Sequence, residues 1–497
     1  MPPPADPGEG LKIRVASSIV WTSVRFGGDI VTNLIVFVIL ARILEPAQFG
    51  AFVVSIVFAE VGRLAVTNGL VSSIFSSPGR DRRTHDTIFW GNLGVGVLFA
   101  AVGVATSPSI AAVLGVVETA DVIAASSLIV PITALGATHA ALNLRDFGHR
   151  SLAIRTVVAG LVSGVLTIAA ALNGYGVWAL VIQRLTIEIV YAVTAWVTYR
   201  WVPRARLSWR ILRRQFILGA GVLSAQTVAL GLNRSQDIIL SRFLGLGAVG
   251  VYRTGWKIIE QLIQGASAPF STVLSPALNR VADKPVEFER AYLKTISVCA
   301  ALAFPAIIGF SCVADDVIPL VFGDKWVESV PLAQVLGLLF LPATLAFFAE
   351  PVLLVRNRPG PLVALAIFQV IVTIGLGVAA APYGLFVFAL AYVARSYFIL
   401  AVQLLLLQSV VRISAGAILR AVSAPTVASG VMALAVLGAR RILPPTDQHG
   451  LFLEILVLGD VVLAGILAYS IALWFMIGPR NRETYAADLA SFKKGFR

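Results

Sequence analysis

The sequence predicts an all-α integral membrane protein of about fourteen transmembrane helices, with two duplicated six-helix lobes followed by a C-terminal helix pair. Of its 497 residues, 58% are hydrophobic and only 13% are charged, whereas a soluble chain carries about 25% charged residues. Apolar runs of about 20 residues recur along the whole chain, and each is long enough to cross a hydrocarbon core of about 30 Å. A segment near the N-terminus also recurs, in similar form, two hundred residues later in the chain.

The repeated segment reads ILARILEPAQFGAF at 39–52 and ILSRFLGLGAVGVY at 239–252. Positions that match without a gap are Ile39/Ile239, Leu40/Leu240, Arg42/Arg242, Leu44/Leu244, Gly50/Gly250 and, by aromatic character, Phe52/Tyr252, with Asn33/Asn233 before them and Glu60/Glu260 after them. This spacing is too long for a solenoid and is typical of a duplicated membrane half. We expect each copy to form the outer turn between the first two helices of its lobe.

The predicted spans lie near 16–41, 49–75, 87–106, 121–142, 151–172, 177–199, 216–243, 249–277, 292–313, 330–355, 361–381, 384–411, 421–438 and 451–477. The domains that follow are a disordered cytoplasmic tail (1–15), an N-lobe of helices 1–6 (16–199), a basic cytoplasmic linker (200–215), a C-lobe of helices 7–12 (216–411), helices 13–14 (412–478) and a basic cytoplasmic tail (479–497).

The formal charge of +13 is distributed according to the positive-inside rule. Loops around 107–120, 173–176 and 382–384 contain no Lys or Arg, whereas the loops on the opposite side are rich in arginine. We therefore expect both termini in the cytoplasm and contact with anionic lipids at the cytoplasmic face rather than with nucleic acid. The stretch 200–216 fits either a basic amphipathic helix lying in that interface or an ordinary basic linker.

Charged residues inside the spans are the candidate functional residues, because ionised groups at bilayer depth normally face a bundle interior or a hydrated cavity. The candidates for substrate binding are Arg25, Arg63, Asn68, Asn233, Arg234, Arg253, Lys257 and Arg395, and those for ion coupling are Asp29, Glu60, Asp237 and Glu260. Intrahelical pairs such as Arg184 and Glu188 are equally compatible with a structural ion pair.

The two cations Arg253 and Lys257 lie four residues apart on one helical face, which favours a bound anion between them. Arginine suits phosphate and pyrophosphate because its fork donates two parallel hydrogen bonds. The predicted ligand is an anionic, hydroxyl-rich molecule with an apolar part that stays in lipid, held in a hydrated cavity between the lobes.

An enzymatic site is not expected. The adjacent carboxylates Asp315 and Asp316 lie in a short outward loop, and the four histidines are scattered without catalytic or metal-ligand spacing. No hydrophilic loop exceeds roughly twenty residues, which leaves no room for a soluble catalytic domain. We expect no metal and no cofactor.

The segment LARILEPAQFGAF resembles the polysaccharide transporter (Wzx-like) flippases of the multidrug/oligosaccharidyl-lipid/polysaccharide superfamily. The run NRSQDIILSRFLGLGAVGVY, the stretch SPALNRVADKPVEFERAYLK, and FPAIIGF with VIPLVFGDKWVESVPLAQVLGL are similar to the same family. The resemblance covers the first two spans and most of 225–340, and it supplies no short active-site motif.

This resemblance implies two six-helix lobes around a central cavity. It also implies alternating-access flipping of undecaprenyl-pyrophosphate-linked oligosaccharides across the bacterial inner membrane, for exopolysaccharide, capsule or O-antigen synthesis. Coupling to protons, Na⁺ or the membrane potential, and partnership with a polysaccharide polymerase and glycosyltransferases, would accompany that role. The alternatives are a cation-coupled multidrug exporter of the same superfamily and an integral-membrane polysaccharide polymerase or ligase.

Overall fold

The computed structural model describes residues 28, 31–71, 74, 82–146, 148–355, 359–442 and 451–476. Within these ranges the chain is helical and contains no β-strand, as the predicted fold class requires. The chain divides into two compact units, Met1–Gly250 and Val251–Arg497. The predicted lobe, linker and tail boundaries stay predictions, and both predicted tails lie outside the described residues.

Unit 1 consists of long apolar helices joined by short turns. Its helices are α1 (Val31–Ile43), α2 (Pro46–Ser55), α3 (Val57–Leu64) with a π-helical turn at Ala65–Gly69, α4 (Arg82–Leu114), α5 (Ala120–Ser127), α6 (Ile129–Arg145), α7 (His149–Leu172), α8 (Val177–Thr198) and α9 (Trp209–Arg280), which continues into unit 2. A buried cluster of Ala59, Val66, Ile129 and Val130 joins α3, the π-helical turn and α6.

Unit 2 begins inside α9. Its further helices are α10 (Pro285–Cys312), α11 (Ala314–Phe322), α12 (Val330–Leu336), α13 (Phe340–Ala346), α14 (Ala349–Val355), α15 (Pro359–Ala380), α16 (Leu385–Val411), α17 (Ala415–Ile442) and α18 (Leu451–Met476). The two C-terminal helices pack on α10 through Val313, Met432 and Val461, and the Tyr469 hydroxyl donates to the Ala301 carbonyl oxygen at 2.7 Å.

Eleven helices in the described ranges are long and apolar enough to cross a membrane, or up to twelve if a bent pair counts as one span. That pair is Trp209–Ile217 with Gly219–Ser267. The shorter apolar helix α1 belongs to the first predicted span, most of which lies outside the described residues. The chain is therefore a multi-pass membrane protein, and the predicted count of fourteen is not confirmed.

The two copies of the repeated segment break their helices at equivalent positions. Glu45 precedes α2 as its N-cap, with extended backbone angles and a capping box to Gln48. Two hundred residues later, α9 is interrupted at Gly245, whose φ of 85° and ψ of 176° are non-helical. Only glycine adopts such angles without strain. The turn predicted for each copy is therefore present, as a capped break in one and a glycine kink in the other.

The repeated segments also touch each other through equivalent residues of unit 1. A Cβ added at Gly50 would collide with the carbonyl oxygen of Leu246, and one at Gly250 would collide with that of Pro46. Since these two pairs exchange under the two-hundred-residue offset, the contact is pseudo-symmetric, as in a two-fold interface in which i meets j and j meets i. Nearer the other end of the helix pair, a Cβ at Gly219 would meet the Gly69 carbonyl oxygen.

The basic linker is not an interfacial helix over its first half. Residues 200–208 are non-helical, and α9 begins at Trp209. The Trp90 indole donates to the Arg204 carbonyl oxygen at 2.9 Å, and the Arg204 backbone N–H donates to Asp86 Oδ1 at 3.2 Å. Pro203 has no N–H and favours extended backbone before it. Side chains of α4 therefore satisfy this segment in place of helical hydrogen bonds.

Candidate functional site

Two of the predicted site residues, Arg25 and Asp29, lie outside the described residues. The other ten lie on α3, its π-helical turn, α9 and α16. Unit 1 and unit 2 each contain some of these residues.

Arg234 lies at the centre of an ion triad in unit 1. Its Nε donates to Glu60 Oε2 at 2.8 Å and its NH2 group to Glu60 Oε1 at 2.7 Å, while NH1 donates to Asp237 Oδ2 at 3.2 Å. The Asp237 side chain is fully buried, and those of Arg234 and Glu60 are 21% and 15% exposed. One predicted ligand and two predicted coupling residues thus bind one another, and they tie α9 to α3.

The two predicted asparagines are placed differently. Asn68 is half-buried in the π-helical turn, where its amide donates to Thr67 Oγ1 at 3.3 Å. Asn233 is exposed on α9 next to Arg234. Asn68 therefore lies beside the cavity described below through its contact with Thr67.

Unit 2 carries the remaining predicted residues. Arg253, Lys257 and Glu260 follow one another along α9 and are each half-buried. Arg395 on α16 is 6% exposed, lies over the Tyr392 ring at 5.6 Å, and donates weakly to the Gln369 carbonyl oxygen at 3.4 Å. The Arg395 Nε is buried and has no hydrogen-bond partner among the described residues.

A cavity of about 280 Å³ lies between α3, α6, α7 and α8 inside unit 1. Its charged lining residues are Arg63, Arg155, Arg184 and Glu188. Thr67, Thr133 and Tyr191 add hydroxyl groups. Among the described lining residues the charge excess is two positive groups, three guanidinium groups against one carboxylate. We call this cavity the arginine pocket.

Small residues on the facing helices leave room for the arginine pocket. Gly136, Ala137 and Ala140 of α6 and Ala192 of α8 line it without filling it. At Gly136 a Cβ would lie 2.9 Å from the Ala192 Cα, so the two helices are already in close contact there. The π-helical turn directly after α3 changes the register in which Thr67 follows Arg63, and such turns are frequent at functional sites.

The carboxylate of the arginine pocket is held by two groups. Arg184 NH2 lies 3.0 Å from Glu188 Oε1, and Thr133 donates its hydroxyl to Glu188 Oε2 at 3.0 Å. The sequence predicts a structural ion pair between Arg184 and Glu188 as readily as a functional one. The two side chains are in contact, and both also line the arginine pocket. Arg155 stacks over the Tyr191 ring at 4.4 Å.

Arg63 and Arg184 each present an unused guanidinium donor in the arginine pocket. The Nε atoms of Arg63 and Arg184 are buried and have no hydrogen-bond partner in the described part of the chain. Arg63 also has no carboxylate within salt-bridge distance there. A buried donor without a partner costs about 1–3 kcal/mol, and more when it is charged. The pocket is therefore suited to an acceptor, and above all to an anion.

Arg155 is the residue that sequence reasoning missed. It lies in the predicted span 151–172, but its neighbours three and four positions away, Ser151, Leu152, Val158 and Ala159, are uncharged. A search for charge pairs on one helical face therefore passes over it. The available signal was simpler, since any arginine inside an apolar span is a candidate functional residue.

A metal site is not apparent in these ranges. No group of three or more His, Cys, Asp or Glu side chains in the described residues is arranged to hold an ion. The guanidinium groups that line the arginine pocket are suited to binding an anion.

Comparison with known proteins places this architecture. Residues 39–331 match the family model described as "Polysaccharide biosynthesis protein". The succinoglycan biosynthesis transport protein ExoT of Rhizobium meliloti is 24% identical over 66% of this chain and 66% of its own length. The lipopolysaccharide biosynthesis protein WzxC of Escherichia coli is 24% identical over 66% of this chain and 67% of its own. The chain thus matches about two thirds of each relative.

A solved structure extends the likeness over nearly the whole fold. The lipid II flippase MurJ in an inward closed conformation superimposes with a TM-score of 0.74, covering 92% of this chain and 99% of MurJ at 11% identity. At that identity the likeness concerns the fold alone, whereas the family model spans more than half of the sequence. The chain therefore belongs to the polysaccharide biosynthesis protein family of membrane proteins.

Proposed function

We propose that the chain is a flippase, not an enzyme, that moves undecaprenyl-pyrophosphate-linked oligosaccharide units across the bacterial inner membrane. It would serve exopolysaccharide, capsule or O-antigen synthesis. The names of two relatives refer to succinoglycan transport and lipopolysaccharide biosynthesis. MurJ, whose fold this chain shares, is named as a lipid II flippase. These names support a lipid-linked saccharide as the cargo.

The observation that carries the proposal is a set of buried or half-buried guanidinium groups among apolar helices in both units. Arg63 and Arg184 in unit 1 and Arg395 in unit 2 each keep a buried Nε without a hydrogen-bond partner in the described residues. Buried cations of this kind suit an anionic cargo and would repel the cationic compounds that a multidrug exporter carries. The observation therefore favours the flippase over the exporter.

In the proposed cycle the cargo enters from the cytoplasmic side, where the arginine-rich loops lie with both termini. Its phosphates bind cationic side chains, and the two predicted lobes rock to release the saccharide on the other face. Coupling to protons, Na⁺ or the membrane potential would bias this exchange, with Asp29, Glu60, Asp237 and Glu260 as candidate residues. A polymerase and glycosyltransferases are the expected partners, and anionic lipids the expected contacts of the basic loops.

Reconstituted flipping tests the proposal. The purified full-length protein is placed in liposomes that contain a fluorescent undecaprenyl-pyrophosphate-linked oligosaccharide, and an impermeant reagent measures how fast the label changes leaflet. We expect protein-dependent exchange that protein-free liposomes lack. Exchange no faster than in protein-free liposomes, with correctly folded protein present, would overturn the function.

Substitution of two residues of unit 2 tests whether their positive charges take part in flipping. We expect Lys257→Gln and Arg395→Gln each to lower the initial flipping rate at least tenfold, because each removes a half-buried or buried cation from the proposed path. Arg420→Gln is the matched control, since Arg420 is exposed and donates to the Gly416 carbonyl oxygen of its own helix at 3.2 Å. If all three variants have the same initial flipping rate, Lys257 and Arg395 do not lie on the path of the cargo.

A further inference from the structure

Asp460 lies inside the apolar helix α18, the last described helix of unit 2. It is exposed, and it makes no hydrogen bond or ion pair with any residue that the structure describes. Glu60 and Asp237, by contrast, are each paired with Arg234. Carboxylates at bilayer depth normally face a bundle interior or a hydrated cavity and have a partner there. Asp460 therefore requires compensation from outside the described chain.

The depth of Asp460 keeps its carboxylate away from the aqueous interfaces. The residue is nine positions after Leu451 and sixteen before Met476, or about 14 Å and about 24 Å along the helix axis. Because the hydrocarbon core is about 30 Å thick, this position lies near the middle of the bilayer. Lysine and arginine reach the interface with long side chains, whereas aspartate has a single methylene group.

Asp460 belongs to a stripe of exposed side chains that runs along α18. These side chains recur at alternating spacings of four and three residues, and they are Leu456, Asp460, Leu463, Leu467, Ser470 and Trp474. We call this stripe the Asp460 face. Alternation of four and three is the spacing at which two helices pack along a common seam, in coiled coils and in most membrane bundles.

The opposite side of α18 packs within unit 2. Val461 and Tyr469 are buried against α17 and α10, and a Cβ at Gly465 would lie 2.8 Å from a valine side chain of α17. At about 100° per residue these positions lie about half a turn from the Asp460 face. At Gly459, beside Asp460, an added Cβ would meet nothing within 4 Å. The Asp460 face is therefore open in the described chain, with room for another helix backbone to approach closely.

We propose that the Asp460 face binds a transmembrane helix of a partner protein, and that this helix carries a lysine or arginine at the depth of Asp460. A basic side chain compensates the carboxylate. It also fixes the register of the two helices, as a polar residue does in the seam of a coiled coil.

Charge complementarity selects this occupant over the two others that a membrane offers. Lipid chains, including the chain of a lipid-linked cargo, have no hydrogen-bond donor for a carboxylate. A second copy packed symmetrically would bring two Asp460 side chains together, and like charges repel each other.

Association with a defined basic helix tests the chemistry of the Asp460 face. The full-length protein, labelled with an acceptor fluorophore, is placed in liposomes with a donor-labelled synthetic peptide. The peptide is a transmembrane helix of about 22 leucine and alanine residues with one central lysine. Comparison peptides carry leucine or glutamate in its place. By energy transfer, we expect the lysine peptide to associate at least tenfold more strongly than either comparison peptide.

Variants decide whether the peptide binds at the Asp460 face. We expect Asp460→Asn to weaken association of the lysine peptide at least tenfold, and Asp460→Glu to retain most of it. Leu463→Ala should weaken it several-fold, because it removes packing and leaves the charge. Glu454→Gln is the matched control, since Glu454 is a carboxylate in the first turn of the same helix. The thermal midpoint of Asp460→Asn should equal that of the wild-type protein.

Other compensating groups give distinct results, and each of them overturns the proposal. Equal association of the lysine and leucine peptides, or no effect of Asp460→Asn, would show that the charge binds no basic helix. A lower thermal midpoint of Asp460→Asn would place the partner within this chain. Self-association that Asp460→Asn abolishes would make the face an interface between copies. With Cys299 and Cys312 replaced by serine, reaction of Asp460→Cys with an impermeant thiol reagent in liposomes would show that water compensates Asp460.

Photocrosslinking in the cells that make the protein tests for the natural partner. A photoreactive amino acid replaces Leu463, and crosslinked membrane proteins are identified by mass spectrometry. A captured protein supports the proposal only if three results agree. It carries a lysine or arginine within a transmembrane segment, Asp460→Lys abolishes the crosslink, and exchange of the partner's basic residue for aspartate restores it. Absence of a crosslink, or failure of the exchange to restore it, overturns the proposal. None of these readings depends on the cargo, which the flipping assay tests separately.

Discussion

At the scale of single residues, Arg234 satisfies two carboxylates at once, and the geometry of each contact differs. Its Nε and NH2 groups meet the two oxygens of Glu60 in a bidentate arrangement, while NH1 reaches Asp237 at 3.2 Å. Bidentate arginine–carboxylate pairs are the stronger and more directional kind. Glu60 lies on α3 and therefore holds α9 against α3, whereas Asp237 lies on α9 itself and orients the Arg234 side chain.

We predict that Glu60→Gln destabilises the protein by about 3–5 kcal/mol, because it removes the better partner of a largely buried guanidinium group. The thermal midpoint of the purified protein in detergent measures this. Glu287→Gln is the matched control, since the Lys284–Glu287 pair at 3.2 Å is 65% and 51% exposed, and such surface pairs contribute about 0–1 kcal/mol.

A triple variant separates pairing from packing at the same place. Glu60→Gln combined with Arg234→Gln and Asp237→Asn should recover part of the lost stability, since no charge of the triad remains while the side-chain volumes are nearly kept. A thermal midpoint for Glu60→Gln equal to that of the wild-type protein would show that water, rather than Glu60, compensates Arg234.

The sequence identifies intramembrane charges well and their partners poorly. Glu60, Arg63 and Arg234 are visible as charges in apolar spans, yet only the fold shows that Glu60 pairs with Arg234 across 174 positions and leaves Arg63 in a pocket. Helical periodicity relates residues three or four apart. It carries no information on which distant helix supplies the next neighbour.

At the scale of helices, close backbone approach fixes how α9 lies on α2, α3 and the π-helical turn. The contacts occur at Gly219 against Gly69, at Arg234 against Glu60, and at the Gly50–Leu246 and Pro46–Gly250 pairs. Small residues let helix backbones approach closely where the hydrophobic effect gives no drive for association. The glycines at both ends therefore bring the helices together, and the ion triad locks their register.

We predict that Gly219→Ala destabilises the protein by about 1–3 kcal/mol or reduces the amount that reaches the membrane, because the new methyl group would collide with the Gly69 carbonyl oxygen. Gly221→Ala is the matched control two residues further along the same helix, where a Cβ meets nothing within 4 Å. Thermal midpoint and membrane yield are the measurements. Equal effects of the two substitutions would show that helix propensity, and not the contact, decides the result.

The repeat predicts more of this arrangement than any other feature of the sequence. Matching Gly50 with Gly250 and the turn at 45 with that at 245 anticipates both helix breaks. The exchanged contact between residue 50 of one copy and 246 of the other could not be read from the repeat, because self-similarity is silent on whether the copies touch. Likewise, the non-helical 200–208 is held by Trp90 and Asp86, which lie more than a hundred positions away.

At the scale of the whole molecule, amino-acid composition and the repeated apolar runs are enough to predict that the chain lies in a membrane and that its fold is helical. Hydrophobic content of 58% and repeated apolar runs indicate a multi-pass helical protein, and eleven to twelve spans are found in the described ranges. The count is less predictable than the class. The helix α9 contains two predicted spans joined through the kink at Gly245, while the first span begins among residues that the structure does not describe.

The charge asymmetry of the loops predicts which end of α8, and therefore which end of the arginine pocket, faces the cytoplasm. The segment 199–214 contains six arginines, whereas the turn 173–176 at the other end of α8 contains no Lys or Arg. By the positive-inside rule we expect the arginine-rich end to face the cytoplasm. In a chain with Cys299 and Cys312 replaced by serine, we expect Tyr175→Cys to react with an impermeant thiol reagent in intact cells.

Val202→Cys is the matched position at the opposite end of α8, and both side chains are well exposed, at 59% for Tyr175 and 65% for Val202. We expect Val202→Cys to react only after the membrane is permeabilised. The reverse pattern would turn the arginine pocket toward the outer face, where an anionic group could be received only after it had crossed. The expected pattern instead places the arginine pocket near the cytoplasmic end of the bundle, because Arg155 lies only six residues, or about 9 Å, after the start of α7.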